Sequence, residues 1–115
     1  MTFGSPSGDQ QDQRPLHMFL RHVHHNLNLQ EAIDSPNFHS THCPSSFYPR
    51  ERDPAGVKIE GRFDSKVLDE LEERGHRLYV EGDWALGHVS ARSRDRNILV
   101  AASNPRLMQG YAAGR

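Results

Sequence analysis

Near the N-terminus, Gly4-Ser5-Pro6-Ser7-Gly8 runs directly into the polar stretch Asp9-Gln10-Gln11-Asp12-Gln13. A turn of Gly, Ser and Pro that opens into a helix-ready segment aims backbone N–H groups at one point, which suits an anion. Gly8 allows close approach of the backbone, and Pro6 restricts how the turn flexes. Such a loop ordinarily follows a strand that delivers it to a site. Only three residues precede Gly4. The strand is therefore expected to be missing, and the chain reads as though it starts in the middle of a site.

Local signals set out the remaining elements. Pro15 suits the first turn of a helix and discourages a helical Arg14. Leu16, Phe19, Leu20, Val23 and Leu27 then recur on one stripe, which predicts a helix with a core-facing side. Asn28 with Glu31 forms a capping-box pattern that opens a short second helix, stopped by Pro36. Residues 35–56 are rich in Pro, Ser and Asn and read as a long irregular connection. Val57 to Gly61 alternates and reads as a strand. Asp64 caps a helix running to Arg74, with Gly75 just beyond it. Leu78 to Val80 reads as a short strand. Val89 to Ser93 and Ile98 to Ala102 flank the polar Arg94-Asp95-Arg96-Asn97 and read as a hairpin. Together these elements make an α+β or layered α/β pattern.

At 115 residues the chain holds one domain at most. Hydrophobic residues make up 35% and mean hydropathy is −0.79, a lean supply for a self-sufficient core. The formal net charge is −1 with both signs interspersed, so no basic stripe points to nucleic acid and no cationic amphipathic helix to a membrane surface. No apolar run approaches the ~20 residues that span a bilayer. The single cysteine, Cys43, excludes an internal disulfide and reads as an inert thiol.

The glycine turn resembles the Gly-Thr/Ser-Pro-Gly-Gly loop of the γ-glutamyltranspeptidase (γ-glutamyltransferase) family. The resemblance continues through Asn28-Leu29-Gln30-Glu31-Ala32-Ile33-Asp34-Ser35-Pro36-Asn37-Phe38-His39, Phe47-Tyr48-Pro49-Arg50-Glu51, Leu68 to His76, and Ala102-Ser103-Asn104-Pro105-Arg106. It runs in order along nearly the whole chain, and it corresponds to the last part of that family's small subunit. The fold this implies is the C-terminal part of an αββα N-terminal nucleophile hydrolase sandwich, incomplete, with residues 1–115 forming no complete separate domain.

The activity implied is transfer of a γ-glutamyl group from glutathione or a similar donor to water, an amino acid or a peptide. The attacking group would be the freed N-terminal threonine of the small subunit, whose own amine serves as base. By the same resemblance, the backbone N–H groups of Ser7 and Gly8 are the oxyanion donors. Ser7 departs from the family's glycine there. The resemblance places the nucleophile well before the glycine loop. Neither Thr2 nor Thr41, the two threonines present, occupies that position. Ser45-Ser46 falls after the loop, out of order for the serine pair that holds the substrate carboxylate. The chain alone is thus expected to be inactive and to need the missing upstream part or large subunit as partner. No cofactor is implied.

Two other readings remain. One is a non-enzymatic remnant or interaction subunit, motivated by the strand edges that a severed sheet would expose. The other is a histidine-based metal binder. His17 and His24 flank the apolar stripe, while His22 and His25 lie on the opposite face, so four ligands do not converge. His39, His42 and Cys43 would have to fold back onto them, and no metal ligands are assigned. Glu60, Asp34 and Asp64 read as caps or surface charges, and Trp84 as a buried anchor at a turn.

Overall fold

The computed structural model describes residues 1–6, 8–106 and 110–113. Its elements are β1 (Thr2–Gly4), α1 (Gln13–His24), α2 (Leu29–Asp34), β2 (Phe38–Ser40), β3 (Gly56–Glu60), α3 (Ser65–Glu73), β4 (Arg77–Glu81), β5 (Ser90–Asp95) and β6 (Ile98–Ser103), with a 3-10 turn at Gly8–Gln10. The class is mixed α+β. The chain divides into two compact units, Met1–Ser35 with Gly87–Arg115, and Pro36–Leu86.

The first unit is an antiparallel sheet in the order β1-β5-β6, with α1 and α2 packed on one face. β5 and β6 form the expected hairpin, closed by Arg96-Asn97 with Arg96 at φ 51°. Phe3 lies opposite Ala91, and Ala91 opposite Ala102. On that face Ala91 and Ala102 are buried with Met18, Leu29, Ala32, Ile33 and Val89, while Phe3 stacks on Phe19 of α1 at 5.9 Å. The strand expected to be missing before the glycine turn is present. Three residues suffice, because β5 supplies a ready partner edge at Ser90 to Arg92.

α1 differs from expectation in two ways. Arg14 is helical and Pro15 is the third residue of the helix. This is tolerated because the first four N–H groups of a helix have no partner within it. The apolar stripe is also turned outward. Leu16, Leu20 and Val23 are 52%, 38% and 47% exposed, whereas Met18, on the other side, is buried. Leu27 leaves the stripe altogether. Asn26 adopts φ 55°, and Leu27, with its N–H on the Arg21 carbonyl at 3.2 Å, packs against the Met18 cluster. Periodicity identified an apolar side of the helix but not what covers it.

α2 carries both bonds of the capping box. Asn28 Oδ1 accepts the Glu31 N–H, and Glu31 Oε2 accepts the Asn28 N–H, each at 2.9 Å. Its other end is closed by side chains. Ser35 Oγ donates to the Glu31 carbonyl at 2.8 Å and Arg21 to that of Ala32 at 3.3 Å. Buried Arg106 donates to those of Ile33 at 2.9 Å and Ser35 at 3.0 Å. The last carbonyls of a helix lack intrahelical partners, and these donors supply them.

In the second unit the order is β2-β3-β4, with β2 antiparallel and β4 parallel to β3. β2 falls inside the stretch read as irregular. It pairs Phe38 with Ile59 and Ser40 with Val57. Its three residues carry no alternation of their own, so only the distant partner makes them a strand. α3 is bounded as expected. Asp64 Oδ1 accepts the Lys66 N–H at 2.9 Å. At the far end Gly75, at φ 91°, donates to Glu72 and His76 to Leu71, the paired bonds of a Schellman ending.

Candidate functional site

β1 leads straight into the glycine turn. Gly4 pairs with Ser90, Ser5 Oγ donates to the Pro6 carbonyl at 3.1 Å, and Arg14 of α1 donates to the same carbonyl at 3.4 Å. Burial lowers the Arg14 guanidinium from its ordinary pKa. Gly8 then opens the 3-10 turn with φ 52°, and its carbonyl accepts the Gln11 N–H at 3.2 Å. A left-handed φ at this point is glycine's conformation and costs most other residues about 1 kcal/mol or more. No acceptor among the described residues takes the Gly8 N–H. Of the two residues expected to act as oxyanion donors, Gly8 therefore has a backbone set by the turn, and Ser7 lies outside the described residues.

Both threonines are engaged. Thr2 Oγ1 accepts from Arg92 Nε at 3.1 Å, and Thr41 Oγ1 lies 3.3 Å from Asp53 Oδ2. The sheet face that bears Thr2, Arg92, Arg94 and Leu99 borders a cavity of about 740 Å³. Thr2 begins β1 and Gly4 ends it, so this cavity lies towards the other end of the strand from the glycine turn. Among the histidines at the end of α1 and just beyond it, His22 Nδ1 is 2.7 Å from the Leu27 carbonyl, while His24 and His25 are exposed. Among the described residues no group of three or more His, Cys, Asp or Glu is arranged to hold a metal ion.

Each unit also holds a buried charged residue whose burial the sequence did not reveal. Glu60, read as a cap or surface charge, is fully buried. Its Oε1 accepts the Leu86 N–H at 3.0 Å, and its Oε2 accepts the Asn37 N–H at 3.0 Å and Arg62 at 2.8 Å. A carboxylate removed from water requires such partners. Arg62 also donates to the Asp83 carbonyl and lies 3.6 Å from the centre of the Trp84 ring. Trp84 is 45% exposed, so it is a lid on this arginine rather than the buried anchor expected. Arg106 is the second. Its N–H donates to Asn104 Oδ1 at 2.6 Å, and Asn104 Nδ2 donates to the Gly87 carbonyl at 3.0 Å. The signal for Arg106 lay in Asn104-Pro105-Arg106. Nothing local marked Glu60.

The chain matches the family described as Gamma-glutamyltranspeptidase over residues 1–114. It is 34% identical to the oxamate amidohydrolase proenzyme of Klebsiella pneumoniae subsp. pneumoniae, over 99% of this chain and 21% of that protein. Identity to the glutathione hydrolase-like YwrD proenzyme of Bacillus subtilis is 26%, over 92% and 20%. Among solved structures, LmbA2991HD superposes with a TM-score of 0.91 at 49% identity, covering 98% of this chain and 21% of that one. The γ-glutamyltranspeptidase from Pseudomonas nitroreducens superposes at 0.71 and 23% identity, covering 98% and 53%. The chain belongs to the γ-glutamyltranspeptidase family. It spans about a fifth of the length of the curated relatives it matches.

Proposed function

We propose that this chain is the C-terminal portion of a γ-glutamyltransferase-like N-terminal nucleophile hydrolase, an incomplete αββα sandwich that supplies the oxyanion loop while the threonine nucleophile lies in the upstream portion. The observation that carries the reading is Gly8, a left-handed glycine delivered by β1 within a family match that runs from residue 1 to 114. When a nucleophile attacks an amide carbonyl, the oxygen becomes negative, and preorganised N–H donors stabilise it by about 2.7–4 kcal/mol each. The backbone N–H groups of Ser7 and Gly8 fill this role, with a γ-glutamyl compound as substrate.

A second substrate is favoured by one observation. The relative at 34% identity is an oxamate amidohydrolase proenzyme, whereas the glutathione hydrolase-like one stands at 26%. Both substrates present an amide or amide-like C–N bond beside a carboxylate-bearing group, so one oxyanion loop serves either.

The test is hydrolysis of a chromogenic γ-glutamyl anilide and of oxamate, by the chain alone and by the chain mixed with the separately produced upstream portion. The expected outcome is activity only in the mixture, and the preferred substrate decides between the two. Activity of the chain alone would overturn the placement of the nucleophile. Silence from a folded, associated mixture would leave a non-enzymatic interaction subunit.

A further inference from the structure

α1 has two faces of different kinds. At about 100° per residue, Leu16, Leu20 and Val23 project between about 140° and 200° around the helix from Met18. Met18 is the residue that enters the unit's own core, so the apolar row points directly away from it. The row's spacing is four residues and then three, which is how side chains line a seam against a neighbouring helix. Single exposed aliphatic residues are ordinary, but three on successive turns form one contiguous strip. The strip is narrow. Gln13, His17 and His24 border it on one side, and Phe19, already stacked on Phe3, on the other. A strip of this width fits the groove of a second helix and is too narrow to cover a sheet.

We infer that the Leu16, Leu20 and Val23 face of α1 is the seat of an amphipathic helix from the upstream portion of the longer enzyme. This rests on the functional reading above. The curated relatives are about five times as long as the segment they share with this chain, so a family protein has ample further chain to cover the strip. A second copy of this chain would have to bring the same strip to the same place, and the experiment separates the two occupants.

The test measures association of the intact chain with the upstream portion by sedimentation and surface binding, for the unaltered chain, Leu20→Asp and Leu16→Asp. All three side chains of the strip are exposed, so each variant should keep the far-UV spectrum and melting temperature of the parent. If Leu20→Asp melts lower, Leu16→Asp carries the measurement alone. The expected result is binding at least tenfold weaker for the variants. Binding within twofold of the parent overturns the inference and leaves the functional reading standing. A homodimer of the unaltered chain that Leu20→Asp dissolves assigns the strip to a second copy and overturns it too. No association between the unaltered partners overturns both the inference and the reading.

Discussion

The Arg106 guanidinium reaches the carbonyl of Ile33 at 2.9 Å across 73 residues of sequence, and closes the end of a six-residue helix. A helix that short has little stability of its own in water. Its order depends on what holds its termini. Arg106→Ala removes two charge-assisted bonds, one to the buried Ile33 carbonyl and one to the part-buried Ser35 carbonyl, so we expect a loss of about 3 kcal/mol. Arg106→Lys keeps the charge but cannot fork to both carbonyls, and should fall between. Thermal unfolding of the three proteins checks the order.

At the other end of the same helix, Asn28→Ala deletes one half of the capping box. The expected cost is about 1 kcal/mol. Because Glu31 returns a bond to the Asn28 N–H, the double variant with Glu31→Ala should cost less than the sum of the single ones. A double-mutant cycle by urea denaturation measures the difference, and strict additivity would show that the two bonds form independently.

Glu60→Ala removes the carboxylate that accepts from Arg62 and from the N–H groups of Asn37 and Leu86 in a buried site, and should destabilise by about 3 kcal/mol. Glu60→Gln retains acceptor capacity and should lose less. Trp84 is the only tryptophan, and it sits over Arg62, so its emission reports this network directly. A Glu60→Ala protein whose Trp84 spectrum in the native state is unchanged would separate the lid from the carboxylate it covers.

At Gly8, φ 52° distinguishes two demands on one residue. In the reconstituted enzyme Gly8→Ala keeps the N–H but strains the turn. We expect kcat to fall by about tenfold or more while KM changes little, as for an interaction made in the transition state. D-alanine, introduced by joining a synthetic N-terminal peptide, accepts this φ without strain. Recovery with D-alanine assigns the loss to backbone conformation, and continued loss assigns it to crowding by the methyl group.

What could be read from sequence was whatever the chain specifies locally. Asn28 with Glu31, Asp64 and Gly75 bounded two helices because a cap is chemistry between neighbours. The terminal hairpin showed because polar residues interrupt two apolar runs. The glycine turn was legible as a turn, and its left-handed glycine agrees. β2 was not legible, because Phe38 to Ser40 becomes a strand only by meeting Val57 to Ile59. The direction in which α1 faces was missed for a related reason. Its periodicity is the same whether the sheet or another body covers Leu20. Glu60 was hidden most deeply, since its burial is decided by Asn37 and Leu86, 23 and 26 residues away.

The division of the chain has a consequence for the order in which it is made. The unit Pro36–Leu86 is continuous, whereas the other draws on Met1–Ser35 and on Gly87–Arg115. As the polypeptide leaves the ribosome, the continuous unit has all its residues while the sheet of the other still lacks β5 and β6. β1 and the glycine turn must wait for Ser90 to Arg92 before they have an edge to join. The glycine turn is thus among the first segments synthesised from this stretch and among the last to acquire its shape. A nascent chain that has emerged only as far as Leu86 would expose every residue of the continuous unit and a β1 with no partner edge.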